Sequence, residues 1–463
     1  MTRARVAILG AGIAGLTAAF RRAGSDQSDL LILEGAPGVG GSIRTLNQDG
    51  FVLEAGPNTL RTNEAAERLL ADLDLNGEVL VADGRAPRWI VREGRARAIA
   101  AGPAALFTSV LSAGAKLRVL CEPFVSRAGA GVEDESVHAF FERRFGREIA
   151  RYAIGPIVSG VYADDPTTLS MRCAFPKLWE AERRSGSVLL GMRGVNASGT
   201  PPTPPTVRFR SRTVSFPAGL ARIPQAIAAR LTAAGAAIVT GSEVTSLEGP
   251  GSGPTPVWQL KTADGRMFEA ERILSTLPAP QLARLLGQRL PRSGASLTAL
   301  ACSPLAVVLL AFRPADAGGA PRGFGTLIPR GEGFHALGVL YPSSLFPARF
   351  PAGVAQTTVF LGGALDPALV ARPEEELLDL AESEVRRLHP NIGERIHRSL
   401  VRWSAAIPRL PIGHRKTLDA LDQDLDAVNH AQAQPSLLVT GPWRDGVSLG
   451  DRIARGEAIG ATL

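Results

Sequence analysis

Cysteine is almost missing from this 463-residue chain: Cys121, Cys173 and Cys302 stand far apart with no CxxC pair. That spacing supports neither a disulfide framework nor a thiolate metal site, and it suits a reducing compartment. The six histidines do not cluster, so no metal site is expected. No apolar run approaches the roughly 18 residues of a membrane span. The best, Leu305 to Phe312, is far too short, which excludes a spanning helix but not attachment at a surface. An apolar signal core is lacking before the first strand begins near Val6, so export is not expected. Lys and Arg outnumber Asp and Glu by 51 to 44, but no dense basic block occurs. The excess gives weak attraction to anions or an anionic membrane and no nucleic-acid signature. Neither a Ser/His/Asp set nor paired acids at useful spacing is found. Side-chain nucleophilic catalysis and paired general acid–base catalysis are therefore not indicated.

What is present is a globular chain, 45% hydrophobic, long enough for two or three domains. Val6 to Leu9 reads as a buried strand, followed by a Gly-rich turn, an Ala/Leu-rich helix to about Ala23, and a second strand Leu30 to Leu33. The stretch from about Gly102 to Val195 reads as mostly helical, with Leu106, Val110, Ala113, Leu117, Leu120 and Phe124 on one face. A Gly/Pro/Thr-rich linker follows at 196–206. Short strands at Ala237 to Thr240, Val244 to Leu247, Trp258 to Lys261 and Ile273 to Thr276 return the chain to an α/β sheet. Runs at Ala306 to Phe312, Ala336 to Leu340 and Gln356 to Leu361 predict a separate antiparallel sheet. The fold class expected is α/β, doubly wound and Rossmann-like, with a mixed-sheet α+β substrate domain and a helical insert. The dinucleotide domain would comprise residues 1–78, 207–290 and 405–463, the substrate domain 79–101 and 291–404, and the insert 102–206.

Three motifs point to a flavin dinucleotide. Gly10-Ala11-Gly12-Ile13-Ala14-Gly15 follows a strand and opens a helix, with Glu34 ending the next strand about 20 residues on. Gly10 makes the turn, Gly12 admits a pyrophosphate to the helix N-terminus, Gly15 lets helix and strand close up, and Glu34 can accept both ribose hydroxyls. Gly38-Val39-Gly40-Gly41-Ser42-Ile43-Arg44-Thr45 comes next. It resembles the second motif of the flavin amine oxidase and phytoene desaturase group, where a glycine pair and an arginine lie along the cofactor. Near the C-terminus, Gly441-Pro-Trp-Arg-Asp-Gly-Val-Ser-Leu-Gly-Asp451 turns a strand into a helix. Backbone N–H groups of Val447, Ser448 and Leu449 at such a helix end can stabilise charge on a reduced flavin.

Further motifs narrow the resemblance. Gly56-Pro57-Asn58-Thr59, Gly155 to Ala163, Leu169-Ser170, Phe175 to Glu180, Gly323 to Pro329 and Pro408 to His414 resemble those of the protoporphyrinogen oxidase family, in family order and over nearly the whole chain. Two departures stand out: Ala218 where Gly-Gly-Leu is usual, and Asp164 where glycine is common. The resemblance implies non-covalent FAD, touched by Gly10, Gly12, Ile13, Ala14, Gly15, Glu34, Gly40, Gly41, Ser42, Arg44, Gly56, Pro57, Asn58, Thr59, Val244, Trp403, Val447, Ser448 and Leu449. It places Asn58 by the flavin and the reacting carbon, and Arg88 on a substrate propionate, as the catalytic pair. Phe324, Leu327 and Phe360 would sandwich a tetrapyrrole whose edge meets Gly160.

The implied reaction is oxidation of protoporphyrinogen IX to protoporphyrin IX, in heme biosynthesis, with oxygen as acceptor and peroxide as by-product. A coproporphyrinogen III oxidase of the same fold, a flavin amine oxidase and a catalytically silent FAD scaffold remain as alternatives. The amine oxidase would want facing aromatics at the flavin, and the three tyrosines lie far from the C-terminal motif in sequence. The family implies a cytoplasmic enzyme, peripheral on the inner face of the cell membrane, and a homodimer. The face from Leu106 to Phe124, with Lys116, Arg118 and Arg127, either meets lipid or packs in the domain core.

Overall fold

The computed structural model describes residues 2–22, 27–99, 108–129, 131–194, 210–249, 257–315, 318–430 and 434–463. Ala23, Gly102, Leu106, Val195 and the linker at 196–206 lie outside them, and the first helix ends at Arg21. Two compact units emerge: Met1–Val81, Ser211–Leu300 and Lys416–Leu463 form the first, Ala82–Arg210 and Ala301–Arg415 the second. The helical segment belongs to the second unit, and the return to the first comes after Arg415, not near 405.

The first unit is a sheet buried on both faces. Strands Ala237–Val239, Leu30–Leu33, Thr2–Leu9 and Met267–Ser275 run parallel in that order. Met267–Ser275 then serves two partners, Trp258–Thr262 antiparallel along its first half and Leu437–Val439 parallel along its last three residues. Alternation along Thr2–Leu9 sends Val6 and Ile8 to one core and Ala7 and Leu9 to the other. Both sides are apolar because both are covered by helices. Ile13–Arg21, Arg222–Ala233 and Leu449–Gly460 cover one face; Ala279–Leu286 and the part of His414–Asn429 bearing Leu418, Leu421 and Leu425 cover the other.

The second unit holds a sheet ordered Glu394–Pro408, Cys302–Arg313, Ala355–Gly362, Ala336–Leu340, Gly325–Leu327, Arg88–Arg92 and Arg95–Ile99. All neighbours are antiparallel except Gly325–Leu327 beside Arg88–Arg92. One helix, Glu374–Leu388, seals one face through Leu377, Leu378, Ala381 and Val385. The helical layer has its own aromatic core of Phe140, Phe141, Phe145 and Trp179.

The apolar face expected from Leu106 to Phe124 is not one helix. Ser112 caps a short helix, Ala113–Leu120, and Pro123 turns the chain into a 3-10 turn, Glu122–Phe124. Val110 is buried, whereas Leu117 and Leu120 are each 62% exposed and Phe124 is 89% exposed.

Candidate functional site

In the first unit the two glycine motifs interlock. Gly10 sits at φ +101° with its amide on the Leu33 carbonyl, 2.8 Å away, and Thr276 packed where a side chain would stand. Gly15 faces the Gly10 carbonyl, which a Cβ would approach to 2.5 Å. Gly40, at φ +118°, donates to the Ala11 carbonyl at 2.8 Å and bridges Gly12. A Cβ on Gly41, at φ +59°, would come 3.3 Å from the Gly12 Cα. Gly12 itself caps the helix Ile13–Arg21, and a Cβ there would meet nothing within 4 Å. An open position at a helix N-terminus, walled by backbone, is an anion cradle. Ile13 and Ala14, the first helical residues, are buried.

Glu34 stands at the end of its strand, accepting from the Ala11 amide at 2.7 Å and the Ala36 amide at 2.8 Å. Two carboxylate oxygens offer about four acceptor sites, so capacity remains for a ribose diol. Gly56 lies so close to the Ser42 carbonyl that no side chain fits. Asn58 is 8% exposed, its Nδ2 donating to the Gly56 carbonyl at 3.1 Å; Pro57 and Thr59 flank it. Arg44 is exposed, and Val244 is buried at the start of its strand. The departure at Ala218 is also explained. Ala218 is exposed, while Gly219, at φ +80°, is the constrained residue, pressed against Thr45 and Glu54.

The C-terminal helix Leu449–Gly460 is capped by Ser448, whose Oγ accepts from the Asp451 amide at 3.1 Å. Val447 and Ser448 lead into its first turn, and Leu449 is buried. Gly456 and Gly460 bring this helix against Ile13–Arg21, a Cβ on either coming within 2.6 Å of the carbonyls of Ala14 and Ala18. That register is parallel, so both N-termini, with their unpaired N–H groups, point the same way. Donors, open cradle and ribose acceptor together fit a dinucleotide carrying a flavin. One residue absent from the sequence reading joins this group: Arg452, whose Nη1 and Nη2 both lie 3.4 Å from the Ser42 Oγ.

In the second unit Arg88 is exposed, its guanidinium 5.0 Å from the centre of the Phe324 ring. Phe324 is held by its amide on the Pro87 carbonyl at 2.8 Å. Leu327, Gly338 and Phe360 lie in register on three neighbouring strands, so the two side chains flank a bare glycine on one face. Leu327 also abuts Gly160, where a Cβ would stand 2.6 Å from its Cδ2. On the same helix, Gly155–Tyr162, Ile157 and Val161 are exposed. Trp403 lies on the sheet's edge strand, paired with Leu305. Asp164 is buried and takes the Arg409 Nε at 2.9 Å, so the other departure anchors a second motif. Burial raises the Asp164 carboxyl above its usual range, and Arg409 opposes this only in part. Asp134 ties Ser170 to Gly413 by accepting from the Ser170 Oγ at 2.7 Å and the Gly413 amide at 2.9 Å. Among the described residues no cluster of His, Cys, Asp and Glu could hold a metal ion, and no helix is long and apolar enough to cross a membrane.

Comparison with known proteins agrees with this geometry. The family of flavin containing amine oxidoreductases matches residues 13–445. Protoporphyrinogen oxidase 1, chloroplastic, of Arabidopsis thaliana is 30% identical over 96% of this chain and 84% of its own length. Coproporphyrinogen III oxidase of Bacillus subtilis (strain 168) is 26% identical over 98% of this chain and 96% of its own. The crystal structure of reduced UDP-galactopyranose mutase superposes with a TM-score of 0.72 at 16% identity, covering 99% of this chain and 94% of that one, which speaks to the fold alone. The chain therefore belongs to the flavin containing amine oxidoreductases, among the relatives of the protoporphyrinogen oxidases, and FAD is its cofactor.

Proposed function

We propose that this chain oxidises protoporphyrinogen IX to protoporphyrin IX, with oxygen as the final acceptor. The observation that carries the reading is the face of the second unit where Leu327 and Phe360 flank Gly338, Gly160 abuts Leu327, and Arg88 lies over Phe324. A porphyrinogen is broad and apolar on its faces and carries carboxylates at one edge. Bare glycines flanked by apolar side chains make a wall for such a ring, and an exposed guanidinium can take a propionate. FAD supplies the hydride acceptor, and the pyrrole N–H supplies the departing proton, so no side-chain base is required. Gly10, Gly12, Gly40, Gly41 and Glu34 would hold the dinucleotide, and the turn at Val447, Ser448 and Leu449 would offer N–H donors to the flavin ring. The amide of Asn58, tied to Gly56, is the polar group assigned beside the reacting carbon. Trp403 and Val244 are further proposed cofactor contacts, Val244 at the adenine.

Anaerobic mixing of the yellow protein with protoporphyrinogen IX should bleach the flavin, and porphyrin fluorescence should rise far above autoxidation once oxygen enters. Preference for coproporphyrinogen III in a parallel cuvette would reassign the substrate, and no bleaching by either would sink the reading. In the same titration, Arg88→Leu should need roughly tenfold to a hundredfold more substrate, the scale of one charge-assisted contact.

The exposed Leu117, Leu120 and Phe124, with half-exposed Leu190 on the helix Val188–Gly194, are proposed as a peripheral membrane contact, with Lys116 beside them. Co-sedimentation with anionic vesicles should fall at least severalfold in Phe124→Glu. Unchanged co-sedimentation would remove this assignment.

A further inference from the structure

We propose that Arg452 binds the diphosphate of FAD and supplies a partly buried positive charge to the cofactor site. The proposal rests on the assignment of FAD. Arg452 belongs to the C-terminal helix, whose packed face carries Leu449, Ile453, Gly456 and Gly460. The contacts of Gly456 with Ala14 and Gly460 with Ala18 fix a parallel register, and continuing it one turn back brings Arg452 level with Gly10. Its two terminal nitrogens share a single long contact with the Ser42 Oγ at 3.4 Å, and its Nε has no partner. No carboxylate among the described residues pairs with it, unlike neighbouring Arg455, which meets Asp445 at 3.3 Å. Burial alone drives its pKa down, to about 10, with no anion holding it up. A guanidinium left this way costs free energy that a chain avoids unless something else completes the site. What it faces is Ser42, next to Gly41, which closes on the open position at Gly12. Arg44, the arginine within the glycine motif, is exposed instead. A diphosphate at Gly12 brings two negative charges to a partly buried guanidinium that has no carboxylate partner among the described residues, and suits the planar fork of arginine.

The full chain, stripped of flavin and titrated with FAD, ADP and riboflavin, separates the choices. Arg452→Met should weaken FAD and ADP alike, by roughly tenfold to a hundredfold, and leave riboflavin unchanged, since riboflavin has no phosphate. Without flavin this variant should melt at the same temperature or higher, because a partly buried charge with no carboxylate partner is gone, while the rise in melting temperature on adding FAD shrinks. Arg452→Lys, which keeps the charge, should recover part of the affinity for FAD and ADP. The proposal is overturned by FAD and ADP affinities within twofold of the unaltered chain. It is overturned equally if riboflavin weakens as much as FAD, which would place the charge on the flavin ring, or if the flavin-free methionine variant melts markedly lower. Failure of the unaltered chain to take up FAD would overturn the cofactor assignment instead.

Discussion

A Gly12→Ala chain should fold with a near-normal melting temperature when free of flavin, yet bind FAD about a hundredfold more weakly or worse. A methyl at Gly12 meets no atom of the chain within 4 Å, and its φ of −74° suits any residue. Alanine caps a helix less well than glycine but restrains the unfolded chain more; each effect is within about 1 kcal/mol, and they oppose. The methyl instead enters the space left for the diphosphate and holds it off the helix N-terminus, where about 3 kcal/mol of lost contact gives the hundredfold. Gly15→Ala makes the contrast. Its Cβ would stand 2.5 Å from the Gly10 carbonyl, a backbone atom that cannot move aside, so the flavin-free protein should itself melt lower, by about 1–3 kcal/mol of overpacking. Flavin-to-protein ratios from absorbance, with melting curves of the stripped proteins, report both. A Gly12→Ala protein purified fully yellow would show that the cradle is not where the cofactor's phosphates sit.

The sequence made the first unit legible because its signals are local. Strand, glycine turn, helix and Glu34 follow one another within the opening residues, and each has its own steric reason. The second unit's sheet was read only in its apolar runs. The edge strand Glu394–Pro408 is hard to read from sequence: in Glu-Arg-Ile-His-Arg-Ser-Leu-Val-Arg-Trp the charged residues break the alternation, as expected where one edge faces solvent. Ala218 and Asp164 looked like defects in motifs, but spatial neighbours decide them. Gly219 bears the strained turn, and Asp164 meets an arginine distant in sequence. Arg452 could have been found, because it lies within the apolar spacing Leu449, Ile453, Gly456, Gly460 of a helix, where an unpaired arginine is out of place. The spacing of Leu117 and Leu120 marked an apolar face without saying what covers it, since exposure depends on packing partners elsewhere in the chain.

Arg144→Met should be the most damaging single change in the helical layer, costing about 3–5 kcal/mol, the range for stranding a buried charge. Arg144 and Glu122 are both fully buried and paired, with the Arg144 Nε 2.7 Å from Glu122 Oε1. Glu122 also caps the helix Val188–Gly194, accepting from the Val188 amide at 2.9 Å, the Leu189 amide at 3.2 Å and the Ser187 Oγ at 2.5 Å. Arg144 donates in turn to the carbonyls of Val125 and Gly186, at 2.8 and 3.0 Å. One pair thus pins the exposed turn at Phe124, the helix carrying Leu190 and the helix Val137–Phe145, and no apolar replacement of both partners could satisfy the freed amides. Burial pushes the Glu122 carboxyl up, but its bonds to Ser187, Val188, Arg144 and Leu189 together outweigh that and hold it low. A carboxyl lowered in the folded state adds stability above its unfolded pKa, about 4.5, and loses it as pH falls further. Removing Arg144 takes away one of the interactions that oppose burial, so the folded value moves up and the variant takes a proton on Glu122 more readily than the unaltered chain. Its deficit should therefore be larger at pH 7 than at pH 5. Melting curves at the two pH values check this, with a drop of roughly 6–10 °C expected at pH 7. An equal deficit at both would mean that Glu122 stays charged without its arginine, held by the cap alone.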